Sequence, residues 1–177
     1  DDRIDGEPAK LVAAGDVEPI GCRIRTRGDP MARYRTSVRS PWHPADAYDV
    51  MKDLSRFDEW DPGITAAVLV SGEAGAVGST YDLTVKGIGG GTVMRYEIVD
   101  AVPGSSVEAR SQTSTLESVD VITVVPDGDS GCIVTYDADL RLRGPLRVVD
   151  PFLALLFRRI GDRAAAGLRQ RLDGVAA

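Results

Sequence analysis

Val149, Leu153, Phe157, Ile160, Ala164, Leu168 and Leu172 recur at spacings of three and four, which predicts a long helix, Leu146 to Leu172, with one continuous apolar stripe. Pro151 near its beginning implies a later true start or a kink. Such a stripe must be laid against an apolar surface. The chain before it supplies one in segments that alternate apolar and polar residues, the mark of half-buried strands. These segments are Ile64–Ser71, Ser79–Lys86, Thr92–Ala101, Ser105–Ser111, Leu116–Val125 and Gly131–Arg143. Gly72, Gly75 and Gly78, then Gly87 to Gly91, Pro103-Gly104 and Asp127-Gly128 separate them. Links this short join antiparallel neighbours, so the segments form a meander.

One more strand, Arg33 to Ser40, comes first and is stopped by Pro41-Trp42-His43-Pro44. Pro44 suits the first turn of a helix, and Asp46 suits its positive end. Ala47, Val50, Met51 and Leu54 give that helix an apolar face. Ser55 is the expected cap of a second short helix running to Trp60, which Pro62-Gly63 ends. The expected fold class is α+β: a curved antiparallel sheet of about seven strands around a long C-terminal helix, with two short helices after the first strand.

Residues Asp1 to Pro30 mix Gly, Pro, acids and arginines without a sustained apolar period. They are expected to be a disordered leader or appended segment, with Met31 as the natural start and residues 31–177 as one ligand-binding domain. Arg27-Gly28-Asp29 in that segment matches an adhesion tripeptide, a pattern too short to carry weight.

The net charge of −6 argues against nucleic-acid binding, which needs a basic stripe or patch. The late arginines, from Arg141 to Arg171, interleave with Asp139, Asp150, Asp162 and Asp173 and read as a solvated face. Two cysteines, Cys22 and Cys132, form no Cys-x-x-Cys pair, so a disulfide scaffold or zinc site is not expected, and Cys132 reads as a core residue. No apolar run reaches the roughly 18–20 residues of a membrane span, and no signal-peptide pattern opens the chain. A reducing, cytoplasmic setting is expected.

Alternation sorts the strand residues by face. Tyr81, Leu83 and Val85, then Met94, Tyr96 and Ile98, then Val134, Tyr136, Ala138 and Leu140 form the inward sets. Each of the three strands thus turns one Tyr toward the long helix, and the strands are expected to be neighbours. A buried Tyr ring needs a partner for its hydroxyl. Apolar walls with a few polar points are the make-up of a ligand pocket, although the same rings could fill a plain core.

From Ala32 onward the chain resembles the START/Bet v 1-like superfamily, and within it the bacterial polyketide cyclase/dehydrase and lipid-transport family. The likeness rests on Ser40-Pro41 leading into Pro44 to Val50, on Asp53-Leu54-Ser55-Arg56-Phe57 leading to Trp60-Asp61-Pro62, on Gly78-Ser79-Thr80-Tyr81, and on Gly131 to Tyr136 ahead of the long helix. Cys132 departs from it, where such proteins more often have Thr or Arg. The resemblance implies a helix-grip fold whose sheet curls around the C-terminal helix and encloses a cavity for a lipid, polyketide or other hydrophobic molecule.

Signs of catalysis are sparse. His43, the only histidine, precedes Pro44 and is expected to cap the first helix in solvent, not to act as a base. Gly87-Ile88-Gly89-Gly90-Gly91 opens no helix, so it lacks the amide cluster of a phosphate cradle and reads as a flexible hairpin at the cavity mouth. Glu117 and Asp120 lie in a strand whose faces the pattern does not separate. A solvent-facing carboxylate is the expectation, and an inward one could serve an aldol-type cyclisation. The sequence favours a carrier or sensor of a small hydrophobic ligand, with Trp60, Tyr81, Met94, Tyr96, Tyr136, Leu153 and Phe157 lining the cavity and no cofactor or metal. The alternatives are a cyclase or dehydratase working in that cavity and a protein–protein docking module whose partner the sequence does not name.

Overall fold

The computed structural model describes residues 32–86, 91–143 and 150–177, and for 150–160 the backbone alone. Strand β1 (Ala32–Ser40) ends at the proline pair, and helix α1 (Pro44–Met51) starts with proline in its first turn. His43 is its N-cap, and its Nδ1 accepts from the Ala45 amide at 3.3 Å. A short 3-10 helix, Leu54–Glu59, follows. Its cap is Asp53, not Ser55, because the helix begins two residues earlier than the pattern suggests. The Asp53 carboxylate accepts from both the amide (3.0 Å) and the hydroxyl (2.6 Å) of Ser55.

Six strands then run as a meander: β2 (Ile64–Ser71), β3 (Thr80–Val85), β4 (Thr92–Val102), β5 (Ser106–Gln112), β6 (Leu116–Asp127) and β7 (Gly131–Leu142). The last elements are α2 (Asp150–Arg171) and a two-residue strand, β8 (Val175–Ala176). All pairings are antiparallel, and the order across the sheet is β2-β3-β4-β5-β6-β7-β1-β8. The eighth strand corrects the expected seven. Two residues are too short to show a period, and β8 forms because the chain turns back at Asp173, whose φ is +49°, to pair with Val38 and Arg39.

The strand order also corrects the expectation that the three tyrosine-bearing strands are neighbours. β3 and β4 are adjacent, but β5 and β6 separate β4 from β7. Register shifts in β2–β3 and β4–β5 mark bulges, which bend a sheet locally.

α2 lies against β1 and the 3-10 helix, and two glycines permit that approach. A Cβ on Gly161 would stand 2.2 Å from the Tyr34 ring, and one on Gly167 only 1.8 Å from the Trp60 carbonyl oxygen. The described part of the helix runs from Asp150 and includes Pro151, and the expected start at Leu146 lies outside the described residues. Ala164, Leu168 and Leu172 are buried as the stripe requires. Val149, Leu153, Phe157 and Ile160 lie outside the residues whose side chains are described, as do Asp1 to Pro30 and Gly87 to Gly90 altogether. The core joins the inner sheet face to α1 and the 3-10 helix through Tyr48, Met51, Leu54 and Phe57, with Cys132 fully buried among them.

Candidate functional site

The inner sheet face carries a row of hydroxyl groups fixed by strand register. Tyr81 on β3 faces Tyr96 on β4, Tyr96 faces Ser111 on β5, and Ser111 faces Ser118 on β6. One step along, Asp120 on β6 stands between Ala109 and Ala138. All five polar residues of these rows are buried. An inner face built only for packing would carry aliphatic residues here, as Ile98, Val107, Ile122 and Val134 do nearby.

Asp120 is the chemical centre of the group. It is 5% exposed, which overturns the expectation of a solvent-facing carboxylate. Strand β6 buries three residues in succession, Ser118, Val119 and Asp120, so both of its faces are covered and alternation could not assign them. Ser118 Oγ donates to one carboxylate oxygen of Asp120 at 3.1 Å, and the Tyr136 hydroxyl donates to the other at 3.1 Å. Burial pushes the Asp120 carboxyl up to about 7, and the nearby Asp61 and Asp139 push the same way. The two hydrogen bonds oppose that rise, because each stabilises the ionised form.

Tyr96 and Tyr136 are both raised well above the ordinary phenol value, first by burial and then by the Asp120 charge. They remain protonated donors. A hydrogen bond to Ser118 works against the rise at Tyr96, so Ser118 links Tyr96 to Asp120. Tyr96 also raises Tyr136 although two strands lie between theirs, and Asp120 acts on both, which places both hydroxyls near the same carboxylate.

The aromatic wall comes from the turn after the 3-10 helix. The Trp60 ring meets Tyr136 edge-on at 5.3 Å and Phe57 at 4.8 Å. Asp61 follows Trp60 and is 9% exposed; its Oδ1 accepts from the Gly63 amide at 2.7 Å and holds the turn closed. Burial raises the Asp61 carboxyl above its usual range, against that hydrogen bond and the Lys86 charge.

Among the residues singled out from the sequence, Tyr96 and Tyr136 lie around Asp120, Trp60 packs on the Tyr136 ring, and Met94 lies beside Leu83 on the same face. The Tyr81 hydroxyl accepts from the Gly75 amide at 2.8 Å, so it is tied to the β2–β3 turn. The side chains of Leu153 and Phe157 lie outside the described residues. Sequence reasoning missed Phe57, Asp61, Ser111 and Ser118. The signal for the serines was present, since polar residues at 111, 118 and 120 interrupt inward positions, but it emerges only once the registers of β5 and β6 are known. Among the described residues no group of three or more His, Cys, Asp or Glu is placed to hold a metal ion, and no helix is long and apolar enough to cross a membrane.

The family model described as polyketide cyclase / dehydrase and lipid transport matches residues 31–173. The fold is similar to that of a START superfamily protein from Mycobacterium smegmatis, at a TM-score of 0.66 and 15% identity over 80% of this chain and 97% of that one. It is also similar to the Zhui aromatase/cyclase from Streptomyces sp. R1128, with TM-score 0.65, 10% identity, 81% of this chain and 94% of that one. A conserved protein from Geobacillus kaustophilus gives a TM-score of 0.60 at 13% identity, over 81% of this chain and 98% of that one. No curated protein is a significant match to the sequence.

Proposed function

This chain belongs to the polyketide cyclase/dehydrase and lipid-transport family, and from that premise we propose that it holds a small hydrophobic molecule between the inner sheet face and α2, as a carrier or sensor. The observation that carries this reading is the buried polar row Tyr96–Ser111–Ser118 with Asp120 and Tyr136, set in an otherwise apolar face. Polar groups in a dry core are costly, and a ligand with a few polar atoms is what such groups can receive. In this reading Trp60, Tyr81, Met94, Tyr96, Tyr136, Leu153 and Phe157 form the lining.

Native mass spectrometry on freshly purified protein, together with Nile red titration, tests the proposal. A co-purifying apolar adduct, or saturable dye fluorescence at about one dye per chain, is the expected result. Protein that is empty and does not bind the dye overturns it.

One observation favours a second reading, a cyclase or dehydratase working in the same place. A carboxyl held at about 7 beside two phenols has the proton affinity of a general base at neutral pH. Asp120 would remove a proton next to a ligand carbonyl while Tyr96 donates to the enolate oxygen that forms. Deuterium exchange at the carbon beside the carbonyl of a bound ketone, faster with the native protein than with Asp120→Asn, supports this reading; equal rates end it.

A further inference from the structure

Ser111 is the one member of the polar row that the fold leaves unpartnered among the described residues. Its side chain is 1% exposed, and its Oγ has no hydrogen-bond partner. It lies on the inner face, between Tyr96 on β4 and Ser118 on β6. Both neighbours are engaged, since Ser118 donates to Asp120 and hydrogen-bonds Tyr96. On the same face of β5 the preceding positions are Val107 and Ala109, so an alanine at 111 would continue the strand without an orphaned hydroxyl. A buried hydroxyl is costly unless something bonds to it.

The buried charges around this row all have one sign. Among the described residues, the buried charged side chains are Asp61, Asp120 and Asp139, and no buried lysine or arginine accompanies them. Asp61 and Asp139 both favour the protonated form of Asp120. Several strand arginines spend their charge on half-buried carboxylates, Arg95 on Asp82 at 2.7 Å, Arg110 on Glu108 at 2.7 Å and Arg39 on Asp127 at 2.6 Å. The exposed Arg33 reaches the buried Asp139 at 3.7 Å. A carboxylate entering the row would add another negative charge to a desolvated acidic group, which low dielectric penalises.

We infer that this row recognises the oxygen of an uncharged ligand, a carbonyl or hydroxyl on an apolar skeleton, through Ser111 Oγ, and that Asp120 with Asp61 excludes carboxylates. The inference rests on the proposed ligand-binding role and adds the chemical class of the ligand. Ser111 can donate to a carbonyl or accept from a hydroxyl, so either group completes its hydrogen bonding. A fatty acid carboxylate could take the Ser111 proton too, but only against the repulsion of two acids.

Displacement of Nile red at pH 8 by 1-dodecanol and by dodecanoate tests this, with the full chain and with Ser111→Ala and Asp120→Asn. Dodecanol should displace the dye at about tenfold lower concentration than dodecanoate. Ser111→Ala should raise the dodecanol concentration required by about five- to tenfold, the size of one hydrogen bond lost. Its thermal midpoint should equal or exceed that of the native protein, because an unsatisfied hydroxyl is removed. Asp120→Asn should narrow the gap between alcohol and acid. Dodecanoate binding as well as dodecanol, or Ser111→Ala leaving dodecanol unchanged, overturns the inference while the ligand-binding role stands. Failure of the native protein to bind Nile red at all removes both.

Discussion

The Tyr136 hydroxyl donates to the Asp120 carboxylate at 3.1 Å, from the adjacent strand and diagonally across the register, where Tyr136 faces Ile122 and Asp120 faces Ala138. The bond stabilises the ionised acid inside the sheet, against a burial effect that favours the neutral one. Tyr136→Phe therefore raises the Asp120 midpoint above its native value of about 7 and costs about 1 kcal/mol of stability at pH 8. Carboxyl carbon chemical shifts followed against pH check the first, and urea unfolding the second. An unchanged midpoint would contradict the hydrogen bond.

Replacing the acid itself predicts a pH-dependent gain. The folded-state value of about 7 lies above the ordinary 3.8, so the folded protein holds a proton that the unfolded chain releases. Stability from this group is fully present below 3.8 and is lost as pH rises through about 7. At about 1.4 kcal/mol per tenfold change in proton affinity, the interval amounts to roughly 4 kcal/mol. Asp120→Asn keeps the shape and carries no charge, so it should be more stable than the native protein at pH 8, with the difference shrinking toward pH 4. Urea unfolding at both pH values measures it; a difference that does not vary with pH would refute the buried acid.

Gly167→Ala sets helix propensity against a close approach. Alanine favours a helix interior by about 1 kcal/mol over glycine. Here, however, the new Cβ would lie 1.8 Å from the Trp60 carbonyl oxygen, a backbone atom that cannot rotate away. The clash wins, and a net loss of about 1–3 kcal/mol is expected by chemical denaturation. A variant as stable as the native protein would show that α2 does not sit this close to the Trp60 turn.

Ser40 ties the end of β1 to the end of α2. Its Oγ donates to the Leu172 carbonyl at 2.6 Å and accepts from the Trp42 amide at 3.1 Å. Ser40→Ala leaves two buried or half-buried backbone groups unpaired and should cost about 1–3 kcal/mol. Hydrogen exchange should show its amide protection falling first at Trp42 and the last turn of α2.

Tyr96→Phe keeps the ring that packs between Tyr81 and Ser111 and removes only the hydroxyl. Folding should stay nearly intact, with the unfolding midpoint little changed. Binding of an oxygen-bearing hydrophobic probe should weaken by about five- to tenfold. Binding that does not respond would make Tyr96 a packing residue.

The order of elements was legible in the sequence because it depends on local rules. The strands follow from alternation, the hairpins from glycine turns, and the start of α1 from Pro44 and its His43 cap. Even α2 was evident from its stripe of three- and four-residue spacings, of which Ala164, Leu168 and Leu172 are buried. Tertiary packing decided what periodicity cannot express. Asp120 lies on a strand buried on both faces, so no pattern assigned its side, and Ser111 joins Tyr96 and Ser118 only through the registers of two hairpins. Tyr136 reaches Asp120 from the next strand, and Tyr96 joins the same group from a strand two places farther along. The chain alone dictated a sheet and a helix to cover it, since burying apolar side chains is a matter of spacing. Where the acid and its hydroxyls meet was left to the folded sheet, because hydrogen bonds and charge effects depend on distances between strands that the linear order does not contain.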